Sequence, residues 1–386
     1  MNAPISSRFA ALQGRRPEAI DTPALVIDAD AVNRNMQRMA EFAAKHQIRL
    51  RPHAKMHKSA ELARLQMQAG AVGVCVQTVG EGEALAAGGV NDIFITNQIV
   101  SPAKLRRVAA LAHLLKNRGG RLAIAVDSLE GVERLNQAMQ LSSAQIDVFI
   151  EIDIGQGRCG VPPGEQAIAL ARLIKEHPRL NYAGLHAYHG LAQHLRSVTE
   201  RRTAIGQAAV RVSATRDALA REGLAPALIT GGGTGTFGLE AASGLWNELQ
   251  PGSFLFMDAD YARNERDSAQ PAFEQALFVK TQVISVQDGR AVCDAGLKSL
   301  GLDAGPPLVH ALPGQPQWTY TPAGDEHGLL RPAQEGGPLP AIGESIWLIP
   351  GHCDPTVNLH DVMVAVQGGL IEGAVTAVVP VDDRGA

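Results

Sequence analysis

The stretch Leu50-Arg51-Pro52-His53-Ala54-Lys55-Met56-His57-Lys58 decides how the chain is read. It closes a short strand-like run, residues 48–51, and an apolar-periodic segment of helical spacing, residues 59–69, follows it. A lysine flanked by two histidines therefore stands where a strand hands over to a helix. In α/β folds ligands sit beyond the carboxyl ends of the strands, so Lys55 is a candidate for chemistry rather than part of a solvated basic loop.

Outward from that stretch the same alternation repeats. Strand-like runs fall at 24–28, 48–51, 72–76, 92–96, 122–127, 146–153, 182–189 and 227–230. Helical spacing covers 31–45, 59–69, 80–87, 102–117, 128–139, 163–176 and 199–222. Strands that are apolar almost throughout belong in a parallel sheet covered by helices. Eight of them in roughly 250 residues fit a closed (β/α)8, TIM-like barrel. Beyond about residue 262 the texture changes to short β-type runs at 277–286, 291–296, 345–349 and 361–367, separated by glycine and proline turns. The expected fold class is thus α/β, a barrel over 22–264 with a second, mostly antiparallel β domain from 1–21 plus 265–386.

Composition narrows the function. Lys and Arg (35) nearly balance Asp and Glu (39), which argues against a nucleic-acid or membrane surface. The four cysteines show no CxxC spacing and suit a reduced compartment, and neither a leader nor an apolar span is visible, so a cytoplasmic protein is expected.

Residues at the carboxyl ends of barrel strands converge on one mouth. Here they are Lys55, Gln77, Arg158, Tyr188, His189 and the run Thr230-Gly231-Gly232-Gly233-Thr234. Glycines flanked by hydroxyls let backbone N–H groups cradle a phosphate, although the run matches neither GxxxxGK[ST] nor GxGxxG. A lysine, a phosphate cup and an arginine in one mouth suggest pyridoxal 5′-phosphate (PLP) held as a Schiff base on Lys55. A lysine that forms an imine directly with a sugar-phosphate carbonyl is the competing reading. His53, His57 and Lys58 are expected to depress the Lys55 amine pKa. His189 is a candidate general acid/base, with a structural hydrogen-bonding role as the alternative, and Tyr188 a residue that packs against a cofactor or fills the mouth. In the second domain, His352-Cys353-Asp354 places an imidazole and a carboxylate two positions apart, able to share one divalent cation with Cys353 pointing away. Asp325-Glu326-His327-Gly328 is a further polar cluster, a weaker candidate for the same mouth.

Four motifs carry a family resemblance: residues 21–26 (DTPALV), 51–55 (RPHAK), 155–160 (GQGRCG) and 349–356 (IPGHCDPT), supported by 187–190 and 230–235. With them the chain resembles the D-threonine aldolase family, which includes 3-hydroxy-D-aspartate aldolases and, more distantly, D-serine dehydratases. The resemblance runs over nearly the whole chain. It implies an alanine-racemase-like fold and a homodimer. Lys55 then matches the Schiff-base lysine, Gln77 and Arg158 match positions near the PLP ring, and Thr230 to Thr234 with Gly252 and Ser253 match the phosphate site. His352 and Asp354 match the metal pair. The dehydratase branch has a His-x-Cys version, so Asp354 favours the aldolase branch, and its oxygen suits Mn²⁺ or Mg²⁺, with Zn²⁺ or Co²⁺ as further options. One departure is Gly80, where relatives carry Ser. The implied reaction is retro-aldol cleavage of a D-β-hydroxy-α-amino acid, a small-molecule substrate, to glycine plus an aldehyde. A D-serine or D-3-hydroxyaspartate dehydratase on the same scaffold and a non-catalytic PLP carrier are the other readings.

Overall fold

The computed structural model describes residues 9, 11–140, 142–312 and 314–385. Residues 1–8, part of the 1–21 segment expected to join the β domain, lie outside the described residues together with residues 10, 141, 313 and 386.

The chain runs β1 (Ala24–Asp28), α1 (Ala29–Lys45), β2 (Arg49–Leu50), α2 (Ala60–Gln68), β3 (Val74–Val76), α3 (Val79–Ala87), β4 (Asp92–Gln98), α4 (Pro102–Asn117), β5 (Arg121–Val126) and α5 (Leu129–Met139). It continues with β6 (Ile146–Glu151), α6 (Glu165–Glu176), β7 (Leu180–Ala187), α7 (Val198–Arg221), β8 (Leu228–Gly231), α8 (Phe237–Ser243), β9 (Glu248–Leu249) and the short α9 (Ala259–Ala262). Strands β2 to β9 form an eight-stranded parallel sheet in the order β2-β9-β8-β7-β6-β5-β4-β3. A parallel bridge between His53 and Cys75 closes the seam between its ends, with Val72 N–H and Cys75 N–H donating to the carbonyls of Leu50 and Pro52.

The expected barrel is corrected at its first strand. β1 leaves the barrel and pairs antiparallel with Leu277–Gln287 (β10) and parallel with Val362–Gln367, both in the second sheet. The place in the barrel is filled by β9, only two residues long and without an apolar run to announce it. An apolar strand carries no mark of which sheet it enters, so periodicity could not separate these cases.

After β10 come β11 (Arg290–Cys293), β12 (Leu308–Val309), β13 (Trp318–Pro322), β14 (Gly328–Pro332), β15 (Ser345–Ile349), α10 (Cys353–Val357), β16 (Val362–Gln367) and β17 (Ala374–Pro380). This nine-stranded sheet has the path β13-β14-β11-β10-β1-β16-β17, with β15 paired to β10 and β12. Residues 14–20 lie along it. Gly14 and Val375 exchange backbone bonds with Val375 and Arg15, and the buried Lys280 Nζ donates to the carbonyls of Pro17 (3.0 Å) and Ile20 (2.6 Å).

Local chemistry fixes the helix starts that matter for the mouth. Asp28 Oδ1 accepts from Asp30 N–H and Ala31 N–H at the start of α1, and Thr78 with Glu81 forms a reciprocal capping box on α3. Inside the barrel, Phe94 and Phe149 stack with centroids 4.6 Å apart. Burying each such ring contributes about 1.5–3 kcal/mol. Above them the interior turns polar. Glu248, wholly buried, receives Arg49 Nε (3.0 Å), Arg51 Nε (3.1 Å) and the Thr230 hydroxyl (3.0 Å), and Gln250 Nε2 donates to Thr230 Oγ1 at 2.8 Å. His186 continues the chain to Gln250 Oε1 (3.2 Å) and Glu151 Oε2 (3.6 Å). A buried network of this kind fixes geometry as much as it stabilises, and here His186 Nδ1 is left without a hydrogen-bond partner among the described residues.

Candidate active site

A cavity of about 300 Å³ opens at the carboxyl ends of the barrel strands. Lys55 sits in a single 3-10 turn, Ala54–Met56, between β2 and α2. Its N–H donates to His53 Nδ1 at 3.3 Å, which leaves the His53 proton on Nε2, facing Thr96 Oγ1 at 3.0 Å; the threonine donates onward to the Val76 carbonyl. Burial, and then the Lys55 charge, push the His53 pKa well below its usual value, and burial lowers His57 to about 4. Both histidines are therefore neutral at physiological pH, and Lys58 is engaged elsewhere. The basic neighbourhood expected to depress Lys55 does not exist. Burial works to lower the Lys55 amine, but the Asp354 carboxylate in contact with its Nζ outweighs it, and the pKa is raised.

Several other predicted residues line the same cavity: Gln77, Arg158, Tyr188, Gly233, Thr234, Gly252 and Ser253. Gln77 is anchored by its N–H to Glu81 Oε2 at 2.6 Å. Arg158 rides on the turn after β6, where Asp153 Oδ1 accepts from Gly155 N–H (2.9 Å) and Gly157 N–H (3.1 Å). Gly155 and Gly157 take φ of +131° and +67°, which a side chain would resist. The Arg158 guanidinium lies 6.0 Å from the Tyr188 ring centroid and 3.9 Å from Glu151. Among the described residues, the N–H groups of Gly233, Thr234, Gly252 and Ser253 carry no hydrogen bond, so the cup presents unpaired donors to an anion. A Cβ at Gly233 would stand 2.5 Å from Gln193 Oε1. Thr230 and Gly232 do not reach the cavity: the Thr230 hydroxyl is committed to Glu248 and Gln250, and Gly232 packs on Leu249 and Glu240.

His189 is a second correction. Side chains alternate beyond β7, so when Tyr188 faces the mouth its neighbour turns away. His189 packs instead beside Gly155 and Arg211, and burial lowers its pKa. The histidine that lines the cavity is His194, on the 3-10 turn Leu191–His194. Its Nδ1 lies 2.6 Å from Asp260 Oδ2 and its ring is 5.7 Å from that of Tyr261. Donation from Nδ1 leaves Nε2 as the proton acceptor. Burial works to raise the Asp260 pKa, but Arg196 and His194 together hold it below the usual range. Residues 191–194 follow the strand without periodicity, and only the aspartate 66 positions on identifies His194.

The second-domain residues arrive through α10. His352 is its N-cap and Asp354 lies in its first turn, while Cys353 turns inward to the Met257 carbonyl. Asp354 Oδ2 meets Lys55 Nζ. Its buried Oδ1 has no partner among the described residues and stands 3.6 Å from His352 Nε2. His352 Nδ1 lies 2.7 Å from Asp303 Oδ2, a partner that sequence spacing did not suggest. Burial works to lower the His352 pKa, but Asp354 and Asp303 outweigh it. An orphaned carboxylate oxygen beside an imidazole nitrogen, with the opposite ring nitrogen held by a carboxylate, offers two of the donors that a divalent cation takes. No third His, Cys, Asp or Glu joins this pair among the described residues. Asp325 and Glu326 pair with Lys298 at the surface and do not line the cavity. A Cβ on Gly80 would lie 3.0 Å from both Asp383 carboxylate oxygens, so that carboxylate fills the space where a serine side chain would stand.

Residues 27–260 match the family of the alanine racemase N-terminal domain, and 276–366 match a serine dehydratase domain. The chain is 44% identical to a D-threonine aldolase of Arthrobacter sp., spanning 92% of this chain and 91% of that protein. It is 40% identical to a 3-hydroxy-D-aspartate aldolase of Paracoccus denitrificans, spanning 97% and 95%. The crystal structure of a D-threonine aldolase from Filomicrobium marinum superposes with a TM-score of 0.91 at 42% identity, covering 97% of this chain and 99% of the other. With the fold alike over nearly its whole length and identity of 40% or more, the chain belongs to the family of D-threonine and 3-hydroxy-D-aspartate aldolases.

Proposed function

We propose that the protein is a PLP- and divalent-metal-dependent carbon–carbon lyase that cleaves D-β-hydroxy-α-amino acids to glycine plus an aldehyde. The observation that carries this reading is Asp354: one carboxylate oxygen touches the Lys55 amine and the other, unpartnered, faces His352 Nε2. A cofactor lysine that lines the cavity is thus in direct contact with one member of a cation pair. Identity of 44% and 40% to two aldolases supports the same conclusion.

Lys55 would hold the cofactor, Gln77, Arg158 and Tyr188 would flank its ring, and the donors of Gly233, Thr234, Gly252 and Ser253 would take its phosphate. His352 and Asp354 would hold the cation, and the hard oxygen of Asp354 supports Mn²⁺ or Mg²⁺. When bound, PLP supplies an electron sink for charge left at Cα and the cation a Lewis acid at the β-oxygen. The chain's own work is proton handling and placement. His194, with Nδ1 held by Asp260, accepts the β-hydroxyl proton at Nε2, and the Cα–Cβ bond breaks as the hydroxyl carbon becomes the aldehyde carbon. His53 stays neutral and keeps its Nε2 proton, donated in a hydrogen bond to Thr96 Oγ1. The reading extends to a homodimeric, cytoplasmic enzyme; size-exclusion chromatography tests the dimer. No described helix is long and apolar enough to cross a membrane.

The test is a product assay on purified protein with PLP and Mn²⁺, using D-threonine and D-3-hydroxyaspartate, with and without EDTA. Glycine plus aldehyde, lost on chelation, is the expected result. Keto acid plus ammonia would move the protein to the dehydratase reaction.

A further inference from the structure

Three residues past Lys55, Lys58 is only 6% exposed and holds φ at +48°, a left-handed conformation that a lysine adopts at a cost. Strain of this kind persists only where the surroundings over-determine it. They do so here. Its Nζ donates to Asn358 Oδ1 (2.9 Å) and to the Asp383 carbonyl (3.1 Å), and lies 3.6 Å from Glu81 Oε1. Its own carbonyl accepts from Asp382 N–H at 2.7 Å. Asn358 is the C-cap of α10, the helix whose first turn presents Asp354. Glu81 caps α3 and fixes the N–H of Gln77. One ammonium therefore ties the turn bearing the cofactor lysine to the helix bearing a cation ligand and to the loop bearing a ring-flanking residue. The Lys55 turn and the Gln77 loop belong to the barrel, joined by the His53–Cys75 bridge, whereas α10 belongs to the second sheet.

We propose that Lys58 is a positioning residue that sets the placement of Lys55 against Asp354, so that cofactor and cation are held in register through a single side chain. This rests on the reading of Lys55 and Asp354 given above. The alkyl stem alone cannot serve, because the Asp383 carbonyl needs a donor, Asn358 Oδ1 would keep only the Gly385 N–H, and Glu81 is better held beside a positive charge.

The test measures two dissociation constants on the full chain, one for PLP by absorbance titration and one for Mn²⁺ by calorimetry after EDTA treatment. Wild type binding both is the starting point; wild type that binds neither overturns the reading of the site itself. Lys58→Met is expected to weaken Mn²⁺ by about tenfold or more, and PLP alongside it, with the far-UV circular dichroism unchanged. A merely structural lysine would lower the melting temperature and leave both constants at their wild-type values. That result, or a change in one constant alone, overturns the proposal. Should Lys58→Met fail to fold, Asn358→Leu cuts the tie to α10, together with the Gly385 N–H bond to the same oxygen, and leaves the Lys58 contacts to Asp383 and Glu81. It is expected to weaken Mn²⁺ while PLP binding stays at the wild-type value, and unchanged Mn²⁺ affinity then overturns the proposal.

Discussion

Replacing Asp303 by alanine probes the cation site without touching either proposed ligand. In the native arrangement Asp303 Oδ2 lies 2.7 Å from His352 Nδ1, which pins the imidazole in the tautomer whose Nε2 lone pair faces Asp354. Loss of such a carboxylate behind a ligating histidine costs roughly 10–100-fold in metal affinity. Asp303 is 54% exposed, so water can replace part of its hydrogen bond, and the lower end applies: about tenfold, or about 1.4 kcal/mol. The assay is aldehyde release by EDTA-stripped enzyme titrated with Mn²⁺ at fixed PLP. The half-saturating concentration should rise about tenfold while the rate at saturating Mn²⁺ is restored. An unchanged half-saturation point refutes the orienting role. A rate that saturating Mn²⁺ cannot restore would mean that Asp303 acts on the reaction by another route.

Other consequences can be checked independently. His194→Asn should lower kcat by about 10²-fold or more with little change in melting temperature, and by more than His189→Asn does; the opposite order would return the proton-transfer role to His189. Glu240 is wholly buried against Gly232 and its pKa is raised by burial to about 7. The folded state therefore binds more protons than the unfolded state between about pH 4.5 and 7, and its stability falls as pH rises through that window. Glu240→Gln should remove up to about 3 kcal/mol of that loss, so the variant should gain on wild type in melting temperature at pH 8 but not at pH 4.5. Breaking the buried pair with Glu248→Gln leaves Arg51 with only Asp92 and should cost about 3 kcal/mol in denaturant unfolding, against almost nothing if the pair is dispensable. Because protons compete with a cation for His352 Nε2, apparent Mn²⁺ affinity should weaken as pH falls through the raised His352 pKa.

Strand–helix alternation made the barrel legible, since runs such as residues 92–96 and 122–127 have a period and length that only buried parallel strands share. It could not reveal β9, whose two residues form no apolar run, nor that β1 crosses to the other sheet. The mouth was legible where a residue follows its strand directly, as with Gln77 and Tyr188, or stands on the loop that extends the strand, as with Lys55 and Arg158. Reading failed one position later, at His189, because a single step past a strand reverses the facing. Thr230 failed for another reason: its hydroxyl had a buried partner, Glu248, eighteen residues on. Asp303 and Asp260 were beyond reach because each is defined by a contact across the fold rather than by a neighbour in the chain.

The placement of β1 also constrains how the molecule is made. Ala24 pairs with Lys280 and Val26 with Val364, separations of 256 and 338 residues, so an interior strand of the second sheet emerges long before its neighbours. The barrel can close while β1 still waits, and such distant pairings are slow to find. Lys55 belongs to the early part and Asp354 to the last strands' neighbourhood, so the two meet only when the second sheet is complete. A nascent chain can own a finished barrel and its lysine and still lack the partner that makes the mouth work: competence arrives late, in one step, with the return of the C-terminal strands to β1.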